Sequence, residues 1–167
     1  MEGQDSREDA IYLARAIELS ENSLANGGTP FGAVLVADDA VLGEGSSQVV
    51  TLMDPTAHAE VMALRDAGKR NRRHLFEDAT MYASSEPCPM CLVACYWARV
   101  PRLVFGATST DVAWNGFEDL QLYRELAAPA SERSLGQGTR NPELLERARA
   151  VLRAWTDSLP EPVVPKL

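Results

Sequence analysis

Apolar positions recur at helical spacing from about Ser6 to Ala25, where Ile11, Ala14, Ile17 and Leu24 fall on one face. Ser6 is a residue type that caps a helix start, and Gly27-Gly28 ends the run. Two short apolar runs follow, Phe31 to Val36 and Val41 to Ser46, split by Asp38-Asp39, which is the pattern of a β-hairpin. The spacing then predicts a helix over about Ala57 to Lys69, a strand near Thr80 to Ser84, a helix from about Cys88 to Arg99 and a strand over Leu103 to Ala107. Pro87 and Pro89 flank Cys88, and proline is tolerated in a helix's first turn, where its missing N–H has no partner to lose. Helices near Phe117 to Leu126 and Pro142 to Ser158 complete the pattern, and the prolines from Pro160 onward exclude a helical tail. Strands alternating with helices imply an α/β sandwich around one sheet. We read residues 1–158 as one domain and 159–167 as a proline-rich tail.

Composition narrows the function. The 167 residues are 46% apolar and 24% charged, ordinary for one globular domain. With 24 acidic and 16 basic residues the net charge is −8, which argues against a surface built to grip phosphate backbones, so nucleic acid is not the expected partner. No apolar run approaches the roughly 20 residues of a membrane span, and Met1-Glu2-Gly3-Gln4-Asp5 is the opposite of a secretory signal. A cytoplasmic protein without a membrane partner is expected. All three cysteines lie between Cys88 and Cys95, so no long-range disulfide within the chain exists, and metal or thiol chemistry is the alternative.

Two segments carry that chemistry: His58-Ala59-Glu60 and Pro87-Cys88-Pro89-Met90-Cys91. Zinc favours imidazole and thiolate in tetrahedral sites, and catalytic sites keep one position open. His58, Cys88 and Cys91 supply three ligands for one zinc per chain. Cys88 and Cys91, three apart at a helix start, share one face, and the helix dipole there favours thiolate. Glu60 need not be a ligand; it is placed to take a proton from an activated water and hand it on. Singly, each residue has an ordinary structural reading: a solvated or core histidine, a packed thiol, a redox Cys-x-x-Cys pair. The combination is what points to a zinc base deaminase.

These segments resemble the cytidine-deaminase-like superfamily, on the branch of bacterial guanine deaminases, tRNA adenosine deaminases and fungal cytosine deaminases. The resemblance rests on Pro30-Phe31-Gly32-Ala33-Val34, Asp54-Pro55-Thr56-Ala57-His58-Ala59-Glu60-Val61, Glu86-Pro87-Cys88-Pro89-Met90-Cys91 and Tyr96-Trp97-Ala98-Arg99, and spans about Ile11 to Arg133. It implies a three-layer α/β/α sandwich with a mixed five-stranded sheet, a homodimer, and zinc-dependent hydrolysis of an amino-heterocycle, with Glu60 carrying the protons.

Thr110-Asp111 and Gly116-Phe117-Glu118-Asp119 resemble guanine deaminases of this fold, whose acid at the place of Asp119 contacts the purine's amine edge. Guanine shows N1–H and NH2 donors there, and a carboxylate accepts from both. The ordinary alternative is a solvated acid in a helix's first turn. Phe31 matches the ring that lines the family's base pocket, or is a core phenylalanine; Trp97 stacks on a base or packs. Ser47 stands where relatives carry the asparagine that holds the base, and its shorter hydroxyl cannot make the same paired contact. The expected reaction is guanine to xanthine and ammonia. The alternatives are a tRNA adenosine or cytosine deaminase, a deaminase of a nucleoside, pterin or triazine, and a purely structural zinc protein.

Overall fold

The structure, a computed structural model, describes residues 2–138 and 141–164, with side chains from residue 7 onward in that range. The end of the expected tail, Pro165 to Leu167, lies outside the described residues. The chain forms two compact units, Met1–Ala127 and Ala128–Leu167. The second contains a 3-10 turn at Ala130–Glu132 and a late helix at Pro142–Asp157, capped by Asn141, whose side chain accepts from the Leu144 N–H.

The first unit runs α1 (Glu2–Ala25), β1 (Gly32–Ala37), β2 (Ala40–Ser46), α2 (Val49–Leu52), α3 (Ala59–Asn71), β3 (Thr80–Ser85), α4 (Pro89–Trp97), β4 (Arg102–Ala107), α5 (Ser109–Trp114) and α6 (Asp119–Ala127). The strands lie in the order β2-β1-β3-β4; β1 is antiparallel to both neighbours and β3 is parallel to β4, so the sheet is mixed. Asp38 and Asp39 both have positive φ, 48° and 58°, the conformation a tight hairpin turn needs to match strand twist.

β1 is buried on both faces, and its alternation sorts the core into layers. Ala33, Leu35 and Ala37 join Ala59, Ala63 and Ala67 of α3, with Phe76, Met81 and Cys95, on one face. Val34 and Val36 join Ala16 and Tyr82 on the other, against Tyr12, Leu13 and Leu19 of α1. Helices on both faces give the three-layer sandwich the sequence implied. The alanines of α3 recur every four residues and meet β2 where it carries Gly43 and Gly45. A Cβ at Gly45 would collide with the Ala59 carbonyl, and one at Gly43 with the Ala67 backbone N–H. α3 therefore seats directly on the sheet, and its N-terminus is fixed where β2 ends.

Three expectations need correction. The sheet has four strands among the described residues, not five. The residues themselves carried only four strand patterns; the fifth came from the family resemblance, and the chain after β4 instead turns into α5. Thr108 starts that helix with reciprocal capping: its hydroxyl accepts from the Asp111 N–H, and the Asp111 carboxylate accepts from the Thr108 N–H at 2.8 Å. α1 begins at Glu2, so Ser6 lies inside the helix rather than at its cap. The short helices α2 and α5 were not expected, because neither is long enough to show a hydrophobic period.

Candidate active site

The sequence places two helix starts at the end of the sheet where β2 and β3 finish and β1 begins. His58 is the N-cap residue of α3 and Cys88 that of α4, both with extended backbone. Pro89 occupies the first turn of α4, and Cys91 follows on the same turn. Because both helices present their N-termini here, unpaired N–H groups and two dipoles favour negative charge.

The ligand atoms of His58, Cys88 and Cys91 all lie within 4.8 Å of one another, and Cys88 Sγ is 3.5 Å from His58 Nδ1. One imidazole nitrogen and two sulfurs are the donors zinc selects, and three protein ligands are the catalytic rather than the structural number. One of the two thiols, Cys88, is poised accordingly. Cys88 is held down to about 4, first by the hydrogen bond from Cys91 and then by that from His58. The same contact pushes Cys91 up, and the hydrogen bond to Cys88 pushes His58 up. The donor set fits zinc.

Glu60, on the first turn of α3, is only 7% exposed. Burial pushes its carboxyl up to about 7, with hydrogen bonds from its own backbone and from Cys91 opposing the rise. Burial also raises Asp119, on the first turn of α6, and the charge of Cys88 adds to it.

A pocket of about 220 Å³ brings together most of the expected site: Phe31, Ser47, His58, Glu60, Cys88 and Asp119 line it. Thr29, Val49, Glu86 and Phe117 also line it and were not anticipated. Phe117 and Glu86 belong to segments already singled out, so their signal was in hand. Thr29 had none, because its role is a contact: its hydroxyl donates to Ser47 Oγ at 2.6 Å. Ser47 is otherwise locked, its N–H bonded to the Phe31 carbonyl at 3.0 Å. Phe117 meets Phe31 edge to face, ring centroids 4.9 Å apart.

Trp97 is not among these residues. It is 74% exposed on α4 and borders a separate groove with Leu64, Phe76 and Ala94. The reason is helical phase: Cys91 and Cys95 face inward, and a residue two beyond Cys95 faces away. Cys95 is a packed thiol, pushed up to about 12 by burial.

A family model for the cytidine and deoxycytidylate deaminase zinc-binding region matches residues 6–107, which include all three clustered ligands and Glu60. The chain belongs to this zinc-dependent deaminase family. The deaminase is 47% identical over 125 residues to guanine deaminase of Bacillus subtilis, covering 74% of this chain and 80% of the relative. The crystal structure of the Bacillus subtilis guanine deaminase matches with a TM-score of 0.83 at 40% identity, covering 92% of this chain and 97% of that one. A tRNA-specific adenosine deaminase of Buchnera aphidicola is 37% identical over 112 residues, covering 67% of this chain and 74% of the relative. A mutant protein solved in complex with 8-azaguanine matches with a TM-score of 0.62 at 32% identity, covering 66% of this chain and 63% of that one. Zinc is the cofactor of the family, and among the described residues this deaminase has one cluster suited to it.

Proposed function

We propose that the protein hydrolytically deaminates a purine-like free base, guanine first, giving xanthine and ammonia. The observation that carries this reading is one small pocket lined by buried Glu60, by His58 and Cys88 of the three-ligand cluster, and by Asp119. At about 220 Å³ it lies below the roughly 300–1,000 Å³ usual for drug-sized ligands, a size suited to a single heterocycle. The relatives named for guanine deaminase, and the one holding 8-azaguanine, support the choice of base.

His58, Cys88 and Cys91 would hold the zinc, which would supply Lewis acidity for activating water near neutral pH. Glu60 takes a proton from the attacking water and passes it to the ring nitrogen beside the amine-bearing carbon, C2 in guanine; it then takes the proton of the newly added hydroxyl, leaving the carbonyl, and delivers it to the amine as the C–N bond breaks and ammonia departs. A buried carboxyl raised toward neutrality suits both halves of that exchange. Asp119 accepts from the N1–H and amine edge. Phe31 and Phe117 supply apolar lining for the ring, and the linked hydroxyls of Ser47 and Thr29 offer one free donor between them.

The protein acts in the cytoplasm as a homodimer in this reading. No described helix is long and apolar enough to cross a membrane. Val93, Tyr96 and Trp97 form one exposed stripe on α4, a surface that a second copy covers. Sedimentation velocity giving twice the 18.2 kDa chain mass supports this; a monomer, unchanged by Trp97→Glu, contradicts it.

Zinc-loaded protein should be offered guanine, adenine, cytosine, their nucleosides, pterins, aminotriazines and unmodified tRNA. Ammonia should be released from guanine above all, with xanthine formed in equal amount. Release from tRNA alone would favour the adenosine deaminase relatives, and no release from any free base would contradict the proposal.

A further inference from the structure

α6 carries Asp119 into the pocket; none of its residues is buried, and the edge-to-face contact of Phe117 with Phe31 lies just before its start. Its placement rests on specific contacts. Tyr123 is four residues beyond Asp119, on the same helix face. Its phenol donates to the Pro87 carbonyl oxygen at 2.7 Å. Pro87 is among the fully buried residues and directly precedes Cys88, the N-cap of α4. The acceptor is thus a rigid point of the loop that carries the metal cluster. On the far side of α5, the Glu86 carboxylate accepts from the Ser109 backbone N–H at 2.7 Å, tying the start of the same segment to the same loop.

We propose that Tyr123 is a positioning residue whose hydrogen bond to Pro87 sets the position of Asp119 relative to His58, Cys88 and Cys91. The inference rests on the deaminase reading above, in which Asp119 holds the base while attack occurs beside the cluster. Both the holding group and the attacked atom are then referenced to one loop, Glu86 to Cys88. Misplacement of about 1 Å costs on the order of 100-fold in rate, so a single directional bond at this point matters more than its own strength. The phenol keeps its proton through the neutral range: burial, then the charge of Glu86, pushes it up to about 12. The ring alone would pack equally well as phenylalanine, which isolates the hydroxyl for testing.

Four proteins decide it: wild type, Tyr123→Phe, Asp119→Asn and the double variant, each zinc-loaded, assayed on whichever free base the wild type deaminates fastest. Tyr123→Phe should retain one zinc per chain and lose roughly tenfold in kcat/KM, mostly through KM. In the Tyr123→Phe background Asp119→Asn should cost at least about threefold less than it does alone, because a displaced carboxylate has less to lose. Backbone amide exchange in Tyr123→Phe should quicken across residues 119–127 and stay unchanged across residues 59–71. Effects that simply multiply, loss of zinc from Tyr123→Phe, or unaltered exchange across 119–127 would overturn the proposal. The exchange measurement needs no turnover, so a wild type inactive on every base contradicts the functional reading while the tether is still tested.

Discussion

At the scale of single residues, the candidate site is a division of labour among acids. Glu60 is buried and raised to about 7; Asp119 is half-buried across the same pocket and raised by burial. The first is suited to moving protons and the second to accepting hydrogen bonds. Asp119→Asn replaces one acceptor with a donor that opposes the ligand's own N–H. Hydrogen bonds to charged groups are worth about 1.5–3 kcal/mol, so kcat/KM for guanine should fall roughly 10- to 100-fold. Steady-state kinetics on zinc-loaded protein check this, and a loss below threefold would remove Asp119 from base recognition. His58, Glu60, Cys88 and Cys91 were legible because their chemistry is local: short spacing at a helix start fixes where each points. Ser47 was legible only as a position. That its hydroxyl is engaged by Thr29, eighteen residues away along the chain, is a tertiary contact no local pattern encodes. Trp97 lies outside the pocket because its helical phase faces away from it.

At the scale of elements, the hairpin, α3, β3, α4 and β4 were readable from periodicity within a few residues of their observed ends. The short helices were not, since α5 rests on the capping box at Thr108 rather than on a hydrophobic face. Nor did the sequence reveal how α1 is clamped to the sheet. Asp9 on α1 accepts from Tyr82 of β3 at 2.8 Å and from Arg102 of β4 at 2.7 Å. The Arg102 hydrogen bond holds the Asp9 carboxyl below its ordinary 3.8. A carboxyl lowered in the folded state stabilises fully above the unfolded value, and that contribution is lost as pH falls through the lowered folded value. Between pH 5 and pH 2 the wild type should therefore lose stability more steeply than Asp9→Asn, while the variant is the less stable of the two at pH 7. Denaturant titrations across that range check the sign; identical slopes would show that the pair is screened by solvent.

At the scale of the whole molecule, a −8 chain concentrates its chemistry where two helix N-termini meet. Acidic charge elsewhere does not conflict with a site that favours anions, because the helix ends act over one turn. Gly43 and Gly45 let α3 seat on β2, β1 supplies the buried floor, and the loop from Glu86 to Cys88 joins the cluster to the segment bearing Asp119. In the proposed function this cluster and Glu60 together form the centre of a base deaminase. Zinc-loaded Glu60→Gln tests it most directly, with guanine as substrate, ammonia and xanthine as products, and zinc content and circular dichroism measured on the same sample. The variant should keep one zinc per chain and the wild-type fold while turnover falls by roughly 10²–10⁴-fold or more. Near-normal turnover in that zinc-loaded, folded variant would contradict the account.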